Sequence, residues 1–203
     1  YVTAIDEDSY TGALFGSRSS TYHARYAGAW GRTDYRFLPL LISTKESDRF
    51  HRPVAKGLYA SDDMHEALLK EVIDTPLRRR GRYTYSCLNF MLLKEAVENI
   101  TRKNMDAYLK EEFYHKLGAS TTTFLPLDNG IPIEQIPPTE EDPFFRKQHL
   151  RGYVHDEGAA LFGGISGNAG LFSNANDLAK LYQMWLNGGE YGGEQFLSKE
   201  TVR

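Results

Sequence analysis

Five of the chain's eight prolines, Pro126, Pro132, Pro137, Pro138 and Pro143, fall between Thr121 and Arg151. Each proline fixes φ and lacks a backbone donor, so no regular element is expected to run through this stretch. The fold must therefore be assembled from elements on either side of a long surface-hugging connection. Leu125, Ile133, Ile136, Phe144 and Phe145 are the residues that would hold that connection in place.

On the N-terminal side of the prolines the pattern is helical. Ser61 is a plausible N-cap, followed by Asp62 and Asp63 in a first turn where negative charge suits the helix dipole. Met64, Ala67, Leu68 and Val72 then share a face, and Pro76 closes the segment. Leu93, Ala96, Val97 and Ile100 repeat at the spacing of a core-facing helix. Asn104 can cap a further helix whose Tyr108, Leu109, Phe113 and Leu117 face inward, with Gly118 supplying the left-handed residue at its end. Past the prolines, the glycine-rich run FGGISGNAGLF leads to Ser173 as an N-cap and to Leu178, Leu181, Tyr182 and Trp185 on one helical face. Gly188 and Gly189 end that helix. The opening sixty residues, rich in Tyr, Arg, Gly and Ser, have no sustained period and read as loop with short extended pieces such as Tyr35 to Ile42. The expected organisation is one domain over residues 1–203, mainly α. It divides into a loop-rich part (1–60), a helical part (61–118), the Pro-rich connection (119–151), and the glycine-rich block with its helix (152–203).

Charge and length exclude several functions. A net charge of −3 offers no global field for nucleic acid or an anionic membrane, so neither partner is expected. The longest apolar runs fall well short of the roughly 20 residues that span a bilayer. With one cysteine there is no internal disulfide and no cysteine-rich metal site. The first residues, YVTAIDEDSY, carry neither the basic start nor the apolar core of a signal peptide, and the chain reads as a piece of something longer.

The stretch from Tyr85 through Ser86, Cys87, Leu88, Asn89 and Phe90 to Met91, Leu92 and Leu93 resembles the "YSN..Y.LLG" segment of the serine beta-lactamase-like family. That family includes class C beta-lactamases, D-alanyl-D-alanine carboxypeptidases and related esterases. Downstream, Ala107, Tyr108 and Leu109, then Lys116, Leu117 and Gly118, are similar to its "..YL...I..PLGM..T" continuation, with Thr122 or Thr123 at the final threonine. A second block, from Gly152, Tyr153, Val154, His155, Asp156 and Glu157 to Gly163–Ser173, resembles "G.VHDE.A..LGG..GHAGLFS". It runs into Asp177, Leu178 and Ala179 and on to Gly189, like "DLA.F.QMLLNGG".

The resemblance implies an overall α/β fold in which a helical subdomain is inserted into a sheet-bearing one, with the active site between them; this chain would be mostly the helical insert. It assigns Tyr85 as catalytic base or proton relay and puts Cys87 where the family places Asn. An amide can donate and accept, whereas a thiol does both weakly, so Cys87 reads chiefly as a small buried residue. The family's nucleophile is the serine of S-x-x-K, and its third motif is K-T-G or H-x-G. No lysine here has a serine three residues before it, and neither third motif occurs. The fragment is expected to be inert. A small-molecule or peptide substrate, a fused glycoside hydrolase module and a periplasmic or cell-envelope setting are implied for the parent protein.

Other candidates are weaker. Arg78, Arg79, Arg80 and Arg82 suit a solvated turn better than a carboxylate clamp. Ser166, Gly167 and Asn168 imitate an S-x-N motif but sit inside the second block. His155, Asp156 and Glu157 are adjacent, so they do not all face one point as metal ligands would. Met64, His65 and Glu66 lack the second histidine of a zinc-protease helix, and His23, His51, His115 and His149 show no ligand spacing. The alternative to an enzyme is a non-catalytic binding or scaffold module, and no cofactor or metal is expected.

Overall fold

The computed structural model describes residues 41–74, 81, 86–143 and 145–203. Tyr85, the arginines Arg78, Arg79, Arg80 and Arg82, Pro76, Phe144 and the extended piece expected before Leu41 lie outside the described residues.

Helices are interleaved with small antiparallel sheets, so the described part mixes helix with strand. The first sheet has the order β1-β3-β2, from β1 (Ile42–Ser43), β2 (Phe50–Ala55) and β3 (Leu58–Ser61). The loop expected up to residue 60 therefore contains a hairpin. Its signal is the two-residue Lys56-Gly57 turn, where Gly57 takes φ +68°. Irregular register and Pro53 mask the alternation that marks a strand. The Pro-rich connection likewise contains a hairpin of β4 (Pro138–Asp142) and β5 (Gln148–Arg151). Pro138 is tolerated because it is the first residue of its strand.

The helices are α1 (Met64–Asp74), α2 (Leu88–Thr101), α3 (Met105–Leu109, continuing as a π-turn through Lys110–Tyr114), α4 (Glu157–Leu161), α5 (Ala175–Leu186) and α6 (Lys199–Val202). A last hairpin pairs β6 (Glu190–Tyr191) with β7 (Glu194–Gln195). One core gathers Val54, Leu58, Met64, Leu68, Leu88 and Phe145 with the residues of α4. A second gathers Tyr114, Leu117, Ala119 and Met184, with Leu109, Phe113 and Leu181 packed against it.

Three expected caps differ. Ser61 ends β3, and Asp63 instead supplies the carbonyl that receives the Ala67 N–H of α1. Asn104 precedes α3 without a side-chain cap, and Glu98 Oε1 accepts the Met105 N–H at 2.8 Å. Asn174, not Ser173, caps α5: its Oδ1 accepts the Asp177 N–H at 2.9 Å, while Ser173 Oγ lies 2.7 Å from Thr122 Oγ1. Asn174→Ala should cost about 1 kcal/mol of stability in a urea titration, whereas Ser173→Ala should cost less.

Most of the apolar stripes expected to face the core on α2 and α5 are turned outward, while Leu181 of α5 packs on the second core. Ile100 is 82% exposed, Leu93 51%, Tyr182 64% and Trp185 51%. The inward face of α2 is Leu88, Met91 and Lys94. Lys94 Nζ lies 2.8 Å from Glu98 Oε2 and 3.1 Å from Glu95 Oε1, and His65 of α1 reaches the same Glu95 oxygen at 2.8 Å. These charges neutralise one another, and the lysine stem packs as a hydrocarbon. On α5 the inward pair is Asp177 and Met184. Asp177 Oδ2 accepts from the Thr121 N–H at 2.9 Å and from its hydroxyl at 2.7 Å.

Candidate active site

The glycine-rich segment is pressed against the first turn of α2. A Cβ on Gly167 would collide with the Phe90 carbonyl and come within 3.4 Å of Lys94 Cβ, so only glycine permits this approach. Gly170, at φ +108°, is crowded in the same way against the Gly164 carbonyl. Next, Phe172 exchanges two backbone hydrogen bonds with Thr123, each 2.9 Å long. Two stretches about eighty residues apart in sequence thus share one wall, with Cys87 and Ala169 both packed on the same core cluster.

A buried arginine fixes the adjoining loop. The Arg146 side chain is 0% exposed. Its Nε donates to Asp142 Oδ2 at 2.7 Å, its Nη1 to the Val154 carbonyl at 2.6 Å, and its Nη2 to the His155 carbonyl. Asp142 also accepts from the backbone N–H groups of Phe145 at 2.8 Å and Arg146 at 3.1 Å. Burial alone would push the Asp142 carboxyl up; its bonds to the Arg146 guanidinium and these backbone donors hold it below the usual carboxylate range. Asp156 then caps α4, its Oδ1 accepting the Ala159 N–H at 2.6 Å. The His155 carbonyl and the Asp156 carboxylate therefore serve different partners. Among the described residues no group of three His, Cys, Asp or Glu side chains could hold a metal ion.

Between these walls lies a cleft of about 480 Å³, lined on one side by Thr139, Val154 and His155 and on the other by Asn168 to Ser173. Among the described residues, Lys, Arg, Asp and Glu are absent from its lining. Cys87 stands one residue before α2, half-buried, with right-handed helical φ and ψ and no side-chain cap bond. Ser86 is buried, and its Oγ accepts the Leu88 N–H at 3.3 Å. Ser166 is buried as well and donates to Asn168 Oδ1 at 2.7 Å, which suits a local brace better than a nucleophile. Tyr114 cannot substitute as a phenolate, since burial and then Asp106 push its hydroxyl up to about 12. Tyr153 is raised chiefly by burial. Sequence reasoning missed Arg146 and Lys94. The only signals available were an acid four residues before the arginine and another four residues after the lysine.

Comparison with known proteins shows the family. The beta-lactamase family model matches residues 34–203. A protein of Escherichia coli strain K12, named "Putative D-alanyl-D-alanine carboxypeptidase", is 39% identical over 166 residues, covering 75% of this chain and 38% of the relative. Proteins of the same name from Salmonella gallinarum (38% identical) and Salmonella typhi (37% identical) match over 147 residues, covering 66% of this chain and 34% of their own length. The chain thus spans a little over a third of the curated relatives it matches. With two separated motif blocks folded against each other and a family match across most of its length, the chain belongs to the serine beta-lactamase and penicillin-binding-protein-like family.

Proposed function

We propose that this chain is the helical-insert part of a serine hydrolase that acylates and then deacylates on an amide, ester or D-alanyl peptide. The observation that carries the reading is the close approach of Gly167 to Phe90, which sets the stretch following Tyr85 against the glycine-rich block. The relatives' name supports a D-alanyl peptide among the substrates. In this scheme a serine outside the present sequence attacks the carbonyl carbon, and the bond to the leaving amine or alcohol breaks. Tyr85 passes the serine's proton to that leaving group, and water then releases the acyl group. To act as a phenolate near neutral pH, Tyr85 needs its pKa lowered by roughly three units, or about 4 kcal/mol from nearby cations. Cys87 occupies the asparagine position of the second motif. A cell-envelope setting and a fused glycoside hydrolase module belong to the same reading of the parent protein.

A fluorophosphonate or penicillin probe should leave this chain unlabelled. When a segment bearing S-x-x-K is present upstream, labelling should appear there, and Tyr85→Phe should slow it about a hundredfold or more. A labelled serine inside the chain, or equal labelling of the Phe variant, would overturn the scheme. The second reading is a non-catalytic binding module, favoured by Cys87 at the asparagine position. Absence of S-x-x-K upstream in the full gene would select it.

A further inference from the structure

Two asparagines of the chain are followed by glycine, in Asn129-Gly130 and Asn187-Gly188. Such a pair is chemically labile, because the nitrogen of a residue without a Cβ can approach and attack the preceding side-chain carbon, Cγ. By sequence the two pairs are alike, and both asparagines are exposed. Their hydrogen bonds separate them. Asn129 has its amide committed at both ends: Nδ2 donates to the Phe124 and Leu125 carbonyls, each at 3.0 Å, and Oδ1 accepts from Lys110 Nζ at 2.6 Å. Lys110 is itself held by Asp106 at 3.0 Å. Turning this amide toward Gly130 would cost all three bonds. Asn187, at the C-terminal end of α5, is held by far less. Its Oδ1 accepts from Nε2 of the exposed Gln183 at 2.9 Å, and among the described residues its Nδ2 makes no hydrogen bond. The Gly188 N–H is engaged by one terminal helix bond, to the Trp185 carbonyl at 3.0 Å, and helix ends open locally at little cost.

We propose that Asn187 is a site of spontaneous modification, deamidating in the folded chain to aspartate and isoaspartate while Asn129 stays intact. The cap stands at φ −85° and ψ 12°, so the reaction proceeds when the end of α5 opens and the chain there turns. The Gly188 nitrogen gives up its proton to solvent and bonds to Asn187 Cγ. The bond from Cγ to Nδ2 breaks, and that nitrogen takes up a proton and leaves as ammonia. Water then opens the resulting cyclic imide. Breaking the bond between nitrogen and Cγ gives aspartate; breaking the bond to the main-chain carbonyl gives isoaspartate, whose chain runs through the former side chain. Either product puts a carboxylate at the negative end of the α5 dipole. Isoaspartate also lengthens the main chain by one methylene just before Gly189. The Gly189 N–H donates to the Met184 carbonyl at 2.9 Å, and its carbonyl accepts the Phe196 N–H at 2.8 Å. Met184 and Phe196 belong to the second core, so a change at one surface amide is carried into it. The inference goes beyond the acyl-transfer reading, since it requires neither Tyr85 nor a catalytic serine.

The test is incubation of the full chain in mildly alkaline buffer, with peptide mass spectrometry following the amide-to-acid change at both asparagines. Cleavage by an endoprotease that cuts before aspartate but not isoaspartate separates the two products. In the folded chain Asn187 should be lost at least about tenfold faster than Asn129, since such chemistry tracks the population of the open form. In the same buffer with urea enough to unfold the chain, the two should be lost at similar rates. Gln183→Ala, on an exposed face, should speed the loss at Asn187 and leave Asn129 unchanged. Loss at Asn129 as fast as at Asn187 in the folded chain would overturn the proposal, because Lys110 would then be activating that amide instead of restraining it. So would a folded Asn187 that stays intact over the time in which the unfolded chain is converted. Because the readout is a mass and not turnover, failure here would leave the hydrolase reading standing, and inactivity of the parent enzyme would leave this one standing.

Discussion

Arg146→Met should lower the unfolding free energy by about 3–5 kcal/mol, read from the shift in urea midpoint at constant slope. The guanidinium is fully enclosed, so its removal strands the Asp142 carboxylate and leaves the Val154 and His155 carbonyls without their donors. The methionine fills most of the volume, which keeps the loss electrostatic and not a cavity effect. The pH dependence gives a second readout. Asp142 is held below its ordinary value in the folded protein, so its contribution is fully present above the unfolded carboxyl value of about 3.9 and is lost as pH falls through the folded one. In the variant, burial dominates and the carboxyl moves up instead. The stability gap between wild type and variant should therefore narrow steadily between neutral pH and about pH 3. Adding Asp142→Asn should recover part of the loss at pH 7, because asparagine keeps an acceptor for the Phe145 N–H without a buried charge. A gap that does not change with pH would assign the cost to packing and to the Val154 and His155 carbonyls, and not to the Asp142 charge.

Gly167→Ala should be as damaging, at about 3 kcal/mol or more, for a steric reason. The added methyl meets the Phe90 carbonyl, which belongs to the backbone of α2 and cannot rotate aside. The glycine-rich wall and α2 must then separate, and amide shifts around Cys87 and Leu88 should move together with those of Ser166 to Gly170. Gly57→Ala is the control. Gly57 has a positive φ but open space around its Cα, so alanine there should cost only about 1 kcal/mol and leave those amides unmoved. A loss at Gly167 no larger than that at Gly57 would mean that the glycine-rich wall yields to the methyl and that the collision does not govern the site.

The sequence was most informative where one residue type has one use. Gly118, Gly188 and Gly189 were legible as helix ends and take φ of +66°, +72° and +92°. Met64, Leu68 and Val72 were legible as the buried face of α1. The hairpins were hidden for a local reason, since Pro53 and Pro138 in β2 and β4 suppress the alternation that identifies a strand. The outward stripes on α2 and α5 show a different limit. Periodicity identifies which residues share a face, but Lys94 with Glu98, and Asp177 with Thr121, decide which face turns inward, and those pairings depend on tertiary placement. The same limit hid Arg146, whose partners at Val154 and His155 are carbonyls that any residue could supply. The motif blocks could be read because their glycines and the Asp156 cap serve local backbone geometry. The cleft could not, because it arises from where β4, the 154–155 loop and the glycine-rich segment come to rest.

The outward stripes also bear on how stability varies with temperature. Leu93, Ile100, Tyr182, Trp185 and Leu186 already meet water in the folded chain, so unfolding hydrates less new hydrocarbon than their number suggests. The heat-capacity increment of unfolding scales with newly hydrated apolar surface, and it sets the curvature of stability against temperature. By wetting two helix faces in the native state, the chain acquires a flatter stability curve, and its stability falls away less steeply on either side of the maximum.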